Sequence, residues 1–159
     1  MEIQKQQLRN LLEYYQAGQL DEAEKLAVSI TQKHPDHPFS WKVLGAILKQ
    51  TGRITDALTT MKKSVQIAPQ DDEAHNNLGA TLQELRKFQE AEVSYMKAIA
   101  LNPNYAEAHN NLGVTLKEQG RLDKALVSFS KAIALKPNFA EVHNSLGVTL
   151  KKTRQVERS

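Results

Sequence analysis

Residues 106–139 read AEAHNNLGVTLKEQGRLDKALVSFSKAIALKPNF, and residues 72–105 read DEAHNNLGATLQELRKFQEAEVSYMKAIALNPNY. The two stretches are identical at 20 of 34 positions. A chain that repeats itself at a fixed period of this length usually stacks one structural unit several times. The period is therefore the strongest indication of the fold.

The 34-residue period extends in both directions along the chain. When Asp72, Ala106 and Ala140 each stand at position 1, glycine recurs at position 8, alanine at position 20 and proline at position 32. These residues are Gly45, Gly79, Gly113 and Gly147; Ala23, Ala57, Ala91 and Ala125; Pro35, Pro69, Pro103 and Pro137. The pattern predicts a single array made of units 4–37, 38–71, 72–105 and 106–139 with a half unit 140–152, followed by a polar tail 153–159.

Each unit carries two apolar stripes with helical spacing. His109, Leu112 and Leu116 follow the spacing i, i+3, i+7 that is typical of one helix face. The second stripe of the same unit is Leu122, Ala125, Phe129, Ala132 and Ile133. Every unit is therefore expected to fold as two amphipathic helices, here called helix A and helix B.

Residues between the helices predict where each helix ends and begins. Gly52 and Gly120 are expected to end helix A, and Arg86 stands at the equivalent place in the third unit. The residues expected to cap the start of helix B are Asp21, Thr55 and Asp123. Asp21 and Glu24 also fit the spacing of a capping box.

The glycine at position 8 lies inside helix A, where it costs about 1 kcal/mol relative to alanine. We expect that it is present because the two helices approach closely, against the small alanine at position 20. On this interpretation Ala91→Leu or Ala125→Leu overpacks the crossing by about 1 to 3 kcal/mol.

The consensus of the units is an aromatic residue or His at position 4, Leu-Gly at 7 and 8, Leu at 11, Ala at 20, an aromatic residue at 24, Ala at 27 and Pro at 32. This consensus resembles the tetratricopeptide repeat (TPR), over about residues 4 to 152, although the first unit departs with Gln7, Asn10 and Leu11. The resemblance implies an all-α fold, a right-handed superhelical α-solenoid of stacked helix-turn-helix TPR units, with helix A on the concave side. One unit cannot bury its stripes alone, so the core must run between neighbouring units.

Catalytic signatures are missing from the sequence, which has no cysteine, HExxH, glycine-rich phosphate loop or G-x-S-x-G. His75, His109 and His143 recur at position 4, but successive packed helices lie about 8–10 Å apart. That separation is too long for two rings to share one zinc ion. We interpret the rings as filling the place of Trp41, and we expect no enzyme activity, no cofactor and no metal.

Asparagines dominate the part of helix A that is left to line the concave groove. At positions 5 and 6 they are Asn76, Asn77, Asn110, Asn111 and Asn144. An amide that both donates and accepts suits an extended peptide backbone. The pairs resemble the asparagine ladder in the TPR arms of protein O-GlcNAc transferases, although only Asn77 and Asn111 match the ladder position. The alternative is that these asparagines only occupy a solvated face.

Charge also divides along helix A. Glu73, Glu107 and Glu141 stand at position 2, whereas Lys49, Lys117, Lys151 and Lys152 stand at position 12 or 13. An acidic and a basic edge would orient a charged peptide, but the same arrangement also complements the helix macrodipole. The carboxylate clamp of some TPR proteins matches at only two of five positions, so an adaptor for chaperone tails is not expected.

These features predict a non-catalytic protein–protein interaction scaffold that binds a partner peptide or segment in the groove. The alternative is the substrate-recruiting arm, or a fragment, of a larger transferase. The 18 acidic residues lie among 21 basic ones, which argues against nucleic acid as the partner. Without an apolar run of about 20 residues, we expect a cytoplasmic protein that does not span a membrane. Helix B of the fourth unit and helix A of the fifth are expected to leave apolar surface bare and to allow weak self-association.

Overall fold

The computed structural model describes residues 3–159, and these form nine helices and no strand. The helices are α1 (Lys5–Gln16), α2 (Leu20–Lys33), α3 (Pro38–Gln50), α4 (Ile54–Ile67), α5 (Asp72–Glu84), α6 (Phe88–Leu101), α7 (Ala106–Glu118), α8 (Leu122–Leu135) and α9 (Ala140–Glu157). Odd-numbered helices are the predicted A helices and even-numbered ones the predicted B helices. The all-α prediction is confirmed.

The described chain forms two compact modules, and the boundary between them falls within α5. The N-terminal module extends to Thr81 and the C-terminal module extends from Leu82 to Ser159. In the N-terminal module the core is built from α1 to α4, namely Leu11, Ala23, Ala27, Ile30, Val43, Leu44, Ile47, Leu48 and Ala57. Small alanines in α2 and α4 let the helices lie close enough for the leucine and isoleucine side chains to interlock.

The core of the C-terminal module lies between α7, α8 and α9. Ala125, Phe129 and Ala132 of α8 are fully buried there, together with Leu116 of α7 and Val142 of α9. The predicted apolar stripe of the second helix is thus confirmed at these α8 residues.

The glycine at position 8 makes a close approach, but its neighbour differs from the expected one. A Cβ added at Gly113 would lie 2.6 Å from Cε1 and 2.7 Å from Cδ1 of the Phe129 ring. At Gly45 the added Cβ would lie 2.8 Å from Sδ and Cε of Met61. The glycine therefore makes room for the large side chain at position 24, and not for the alanine at position 20. The overpacking expected at Ala125 stays a prediction.

Helix A ends in a Schellman turn, as the glycines predicted. Gly120 has φ +74°, its N–H donates to the Lys117 carbonyl (3.0 Å), and the N–H of Arg121 donates to the Leu116 carbonyl (2.9 Å). Arg86 makes the equivalent turn with φ +57°, a conformation that is unfavourable for a residue with a Cβ.

The predicted N-caps of helix B are wrong. Each of these B helices begins at the residue before the predicted cap, so Asp21, Thr55 and Asp123 lie inside the first turn, and no described side chain caps the helix. The Schellman turn fixes the direction of the chain, and the residue after the glycine already supplies the first acceptor, as the Arg53 carbonyl does for the Ala57 N–H. The acidic residues still lie where the positive end of the macrodipole favours them.

Helix α9 continues past the predicted end at Lys152 and reaches Glu157, so most of the expected polar tail is helical. Arg154 stands at position 15, where Gly52, Arg86 and Gly120 turn the chain, yet it remains inside the helix. Within residues 3–159 the chain therefore does not turn back after α9 as it does after α7. None of the helices within residues 3–159 has the length and apolar character needed to cross a membrane.

Candidate partner-binding site

The aromatic or histidine ring at position 4 makes the same hydrogen bond in four places. The pairs are Trp41 Nε1 with the Pro35 carbonyl (2.8 Å), His75 Nε2 with Pro69 (2.9 Å), His109 Nε2 with Pro103 (2.9 Å) and His143 Nε2 with Pro137 (2.7 Å). A carbonyl oxygen only accepts, so each histidine carries its proton on Nε2. The histidines therefore take the place of Trp41, as interpreted from the sequence, and tie the end of one repeat to the start of the next.

The paired asparagines divide into buried and accessible residues. Asn76 and Asn110 are each only 2% exposed, and Asn110 Oδ1 has no hydrogen-bond partner within residues 3–159. Asn77 and Asn111 are partly exposed, and Asn144 is exposed. The expectation that Asn76 and Asn110 contact a partner is therefore not supported, because a bound chain cannot reach them without moving a helix.

In the N-terminal module Glu73, the predicted acidic edge, shares a lysine with a second carboxylate. Glu73 accepts a hydrogen bond from Lys42 Nζ at 2.7 Å, and Asp71 accepts one from the same nitrogen at 3.1 Å. Burial works against the charge of Lys42, but the hydrogen bonds to Glu73 and Asp71 raise its pKa overall. Glu73 is thus partly occupied with holding α3 to the start of α5.

In the C-terminal module the charges of helix A are not compensated. Glu107 and Glu141 are exposed, Lys117 is partly exposed and Lys151 is exposed, and within the described chain none of the four forms an ion pair. The macrodipole accounts for Glu107, Glu141 and Lys117, which lie in first or last turns. It does not account for Lys151, because α9 continues beyond it.

Two valines lie between these charges along the sequence of α7 and α9. Val114 of α7 and Val148 of α9 occupy position 9, and Val148 is 54% exposed. Positions 2, 5, 9 and 12 are spaced by three or four residues, so they share one helix face. An apolar residue at position 9, on the same helix face as the charges, was the signal in the sequence that could have indicated these valines. We call the following set the binding face: Glu107, Val114 and Lys117 of α7 at positions 2, 9 and 12, with Asn111 at position 6 because Asn110 at position 5 is buried, and Glu141, Asn144, Val148 and Lys151 of α9 at positions 2, 5, 9 and 12.

Gln83, at position 12 of the third repeat, is used for packing. Its Oε1 accepts hydrogen bonds from the Tyr95 hydroxyl and from Thr115 Oγ1, each at 3.0 Å. Burial raises the pKa of Tyr95, and the negative charges of Glu107 and Glu84 add to the effect. This network joins α5, α6 and α7.

A repeated salt bridge lies near the turns between helices. The carboxylate of Glu24 accepts two hydrogen bonds from the Arg53 guanidinium, one of them at 2.8 Å, and Glu92 accepts one from Arg121 at 2.7 Å. The predicted capping box is therefore wrong at Glu24. The hydrogen bond from Arg53 lowers the pKa of Glu24 despite some desolvation.

Comparisons with known proteins agree with the repeat pattern. Two family models, both described as tetratricopeptide repeat, match residues 14–82 and residues 72–105 and 106–139. None of the curated proteins matches the chain.

Several solved structures share the fold. A crystal structure of MamA is similar with a TM-score of 0.84 and 25% sequence identity, over 96% of this chain and 86% of that chain. The first TPR of Spaghetti (RPAP3), bound to the HSP90 peptide SRMEEVD, has a TM-score of 0.72 and 23% identity, over 74% of this chain and 93% of that chain. YrrB, described as a TPR protein with an unusual peptide-binding site, has a TM-score of 0.80 and 20% identity, over 93% of this chain and 76% of that chain.

These likenesses confirm the α-solenoid fold class. A specific likeness to the arms of O-GlcNAc transferases is not shown by them and stays a prediction. Since the repeats match the family models between residues 14 and 139 and the fold is that of solved TPR proteins, the chain belongs to the tetratricopeptide repeat family.

Proposed function

We propose that this chain is a non-catalytic protein–protein interaction scaffold whose binding face receives a peptide or extended segment of a partner protein. The observation that carries the proposal is the set of uncompensated charges on α7 and α9, with exposed Val148 between them. Similar solved TPR proteins, Spaghetti with an HSP90 peptide and YrrB, have peptide sites.

The binding face suggests the chemistry of the peptide. Glu107 and Glu141 at one edge favour a basic side chain, while Lys117 and Lys151 at the other favour an acidic one. An apolar side chain between them would cover Val148, and burial contributes about 25 cal/mol for each Å² of apolar surface removed from water. The amides of Asn111 and Asn144 suit the peptide backbone, which requires both a donor and an acceptor.

Peptides selected against the full chain from a random display library test this proposal. They should share an apolar residue with a basic residue on one side and an acidic residue on the other. Charge reversal of both lysines (Lys117→Glu with Lys151→Glu) should weaken the selected peptides by at least 10-fold, since two attractions become repulsions. Fluorescence anisotropy with a labelled peptide measures the affinity.

The matched control reverses Lys124 and Lys131, which are exposed on α8 and outside the binding face. This control makes the same change in net charge and should alter affinity by less than about twofold. If the control weakens binding as much as the binding-face variant does, general charge attraction explains the result and the proposal is wrong.

Asn77 of the N-terminal module and Asn111 carry the ladder prediction and are tested as Asn77→Ala and Asn111→Ala. A substrate-recruiting role in a larger transferase would use the same two asparagines. In that case an Asn→Ala variant should lose affinity for peptides of any sequence, because a ladder contacts backbone only.

A further inference from the structure

Helix α9 has a bare face where the other A helices are covered. Phe129 of α8 lies against Gly113 of α7, and Met61 of α4 lies against Gly45 of α3. At Gly147, the equivalent glycine of α9, no atom of residues 3–159 outside the local helix backbone lies within 4 Å of an added Cβ. The space beside the glycine that Phe129 or Met61 fills in the other hairpins is therefore not filled in α9 by any side chain of residues 3–159. We call this space the seat at Gly147.

Neighbouring residues show the same loss of cover. Leu116 of α7 is 4% exposed, whereas Leu150, at the same position of α9, is 40% exposed. Likewise, at position 4, His109 of α7 is buried whereas His143 of α9 is exposed. In the described chain α9 packs only on α7 and α8, and its helix does not turn back to cover this face.

Three cations surround the empty seat. Gly147, Leu150, Lys151, Arg154, Gln155 and Arg158 line one shallow groove along α9. Lys151, Arg154 and Arg158 have no ion-pair partner within residues 3–159, and no acidic residue lines the groove. An occupant must therefore supply both apolar surface and negative charge.

We infer that this groove, here called the α9 groove, docks an acidic amphipathic helix of a partner protein, which takes the place on α9 that α8 takes on α7. A large side chain of that helix fills the seat at Gly147, and acidic residues in its first turn face Arg154 and Arg158. The position of the acidic residues follows from the hairpin, because α8 begins just after α7 ends.

Charge complementarity selects this occupant. A second copy of the chain, the self-association expected from the sequence, would place two sets of cations against each other if α9 paired with α9 around a twofold axis. Like charges brought together oppose such pairing, whereas acidic residues on a partner helix satisfy them.

The test uses the full chain and a fluorescein-labelled peptide derived from α8. The acidic peptide has the sequence LDKALVSFSKAIAL of residues 122–135 with the first-turn lysine, Lys124, replaced by glutamate. One reference peptide keeps the lysine at this position. The other is the acidic peptide with its phenylalanine replaced by alanine. The acidic peptide should bind at least 10-fold more tightly than either reference peptide in anisotropy titrations.

Variants of the chain assign the peptide to the α9 groove. Arg154→Glu should weaken the acidic peptide about 10-fold, whereas Lys152→Glu, an identical charge change on an exposed residue outside the groove, should change its affinity by less than twofold. Gly147→Ala should also weaken binding about 10-fold because it blocks the seat, although the added methyl group clashes with none of the described residues. Circular dichroism confirms that all three variants are folded.

Four results would overturn the inference. Equal affinity for the acidic and lysine peptides shows that the cations do not select the ligand, and equal losses in Arg154→Glu and Lys152→Glu show that only net charge matters. A dimer in sedimentation velocity that Gly147→Ala dissociates assigns the face to a second copy. Binding to phosphatidylserine vesicles that Arg154→Glu abolishes assigns it to a membrane surface.

Discussion

Gly45, Gly113 and Gly147 share position 8 of the repeat but differ in what lies against them, and replacing each by alanine separates helix propensity from packing. Phe129 lies against Gly113 and Met61 lies against Gly45, whereas no side chain of residues 3–159 lies within 4 Å of a Cβ added at Gly147. Alanine stabilises the interior of a helix by about 1 kcal/mol relative to glycine. This gain is common to all three sites. The difference in unfolding free energy between the variants therefore measures the effect of the neighbouring side chain.

The geometry predicts a graded series. Gly147→Ala gains helix propensity without a steric clash, so it should raise the free energy of unfolding by about 1 kcal/mol. At Gly113 the new methyl group meets a rigid, fully buried ring at 2.6 and 2.7 Å. Overpacking of about 2–3 kcal/mol then exceeds the gain, and the variant should be destabilised by about 1–2 kcal/mol. At Gly45 the flexible Met61 thioether can move aside, so the two effects nearly cancel.

Thermal and urea unfolding followed by circular dichroism measure the series. For a chain of this length 1 kcal/mol corresponds to about 2–4 °C in Tm, so Gly147→Ala should raise Tm and Gly113→Ala should lower it. Because repeat arrays can unfold in parts, amide hydrogen exchange of α7 and α9 supplies the local comparison.

A double variant assigns the effect to the ring. In a Phe129→Leu background Gly113→Ala should no longer destabilise, which gives a coupling energy of at least about 1 kcal/mol. If Gly113→Ala and Gly147→Ala shift Tm equally and in the same direction, the close approach does not explain the glycine.

Three further predictions concern hydrogen bonds, turns and pH. His109→Phe should cost about 1 kcal/mol in urea unfolding because a partly buried bond to the Pro103 carbonyl is lost, whereas the same change at exposed His143 should cost less. Arg86→Gly should stabilise by about 1 kcal/mol because glycine adopts φ +57° without strain, and an unchanged Tm would contradict this. The pKa of Glu24 is lowered in the folded state, so its salt bridge contributes stability above the unfolded pKa of about 4.3 and loses it as pH falls. The Tm difference between wild type and Arg53→Ala should therefore shrink between about pH 6 and pH 3.

The repeat period and the helical stripes could be read from the sequence because they depend on residue type at fixed spacing. Phe129 and Ala125 are buried where the 3.6-residue pattern placed them. The N-caps could not be read, because Asp21 beside a turn looks like a cap whether the helix starts before or after it. Only the backbone geometry of the turn decides between these starts.

The candidate site was less predictable because it depends on the neighbours of each helix. Asn110 and Asn144 occupy the same repeat position, yet one is buried and the other exposed, since α9 covers α7 and no described helix covers α9 in the same way. The seat at Gly147 likewise follows from a helix that does not turn at Arg154, and no residue type in that stretch prevents a turn. Val148 shows that an apolar residue on a polar face is informative once its exposure is known.

The hydrogen bond from the position-4 ring to the preceding proline carbonyl affects how a repeat array can lengthen by duplication. In each case the proline and the histidine are six residues apart in the sequence, and the boundary between two repeats lies between them. A duplicated copy of residues 106–139 inserted after Phe139 would place its own histidine six residues beyond Pro137 and recreate the bond at the new boundary. A tandem duplication of one repeat would therefore also reproduce the hydrogen bond that connects neighbouring repeats.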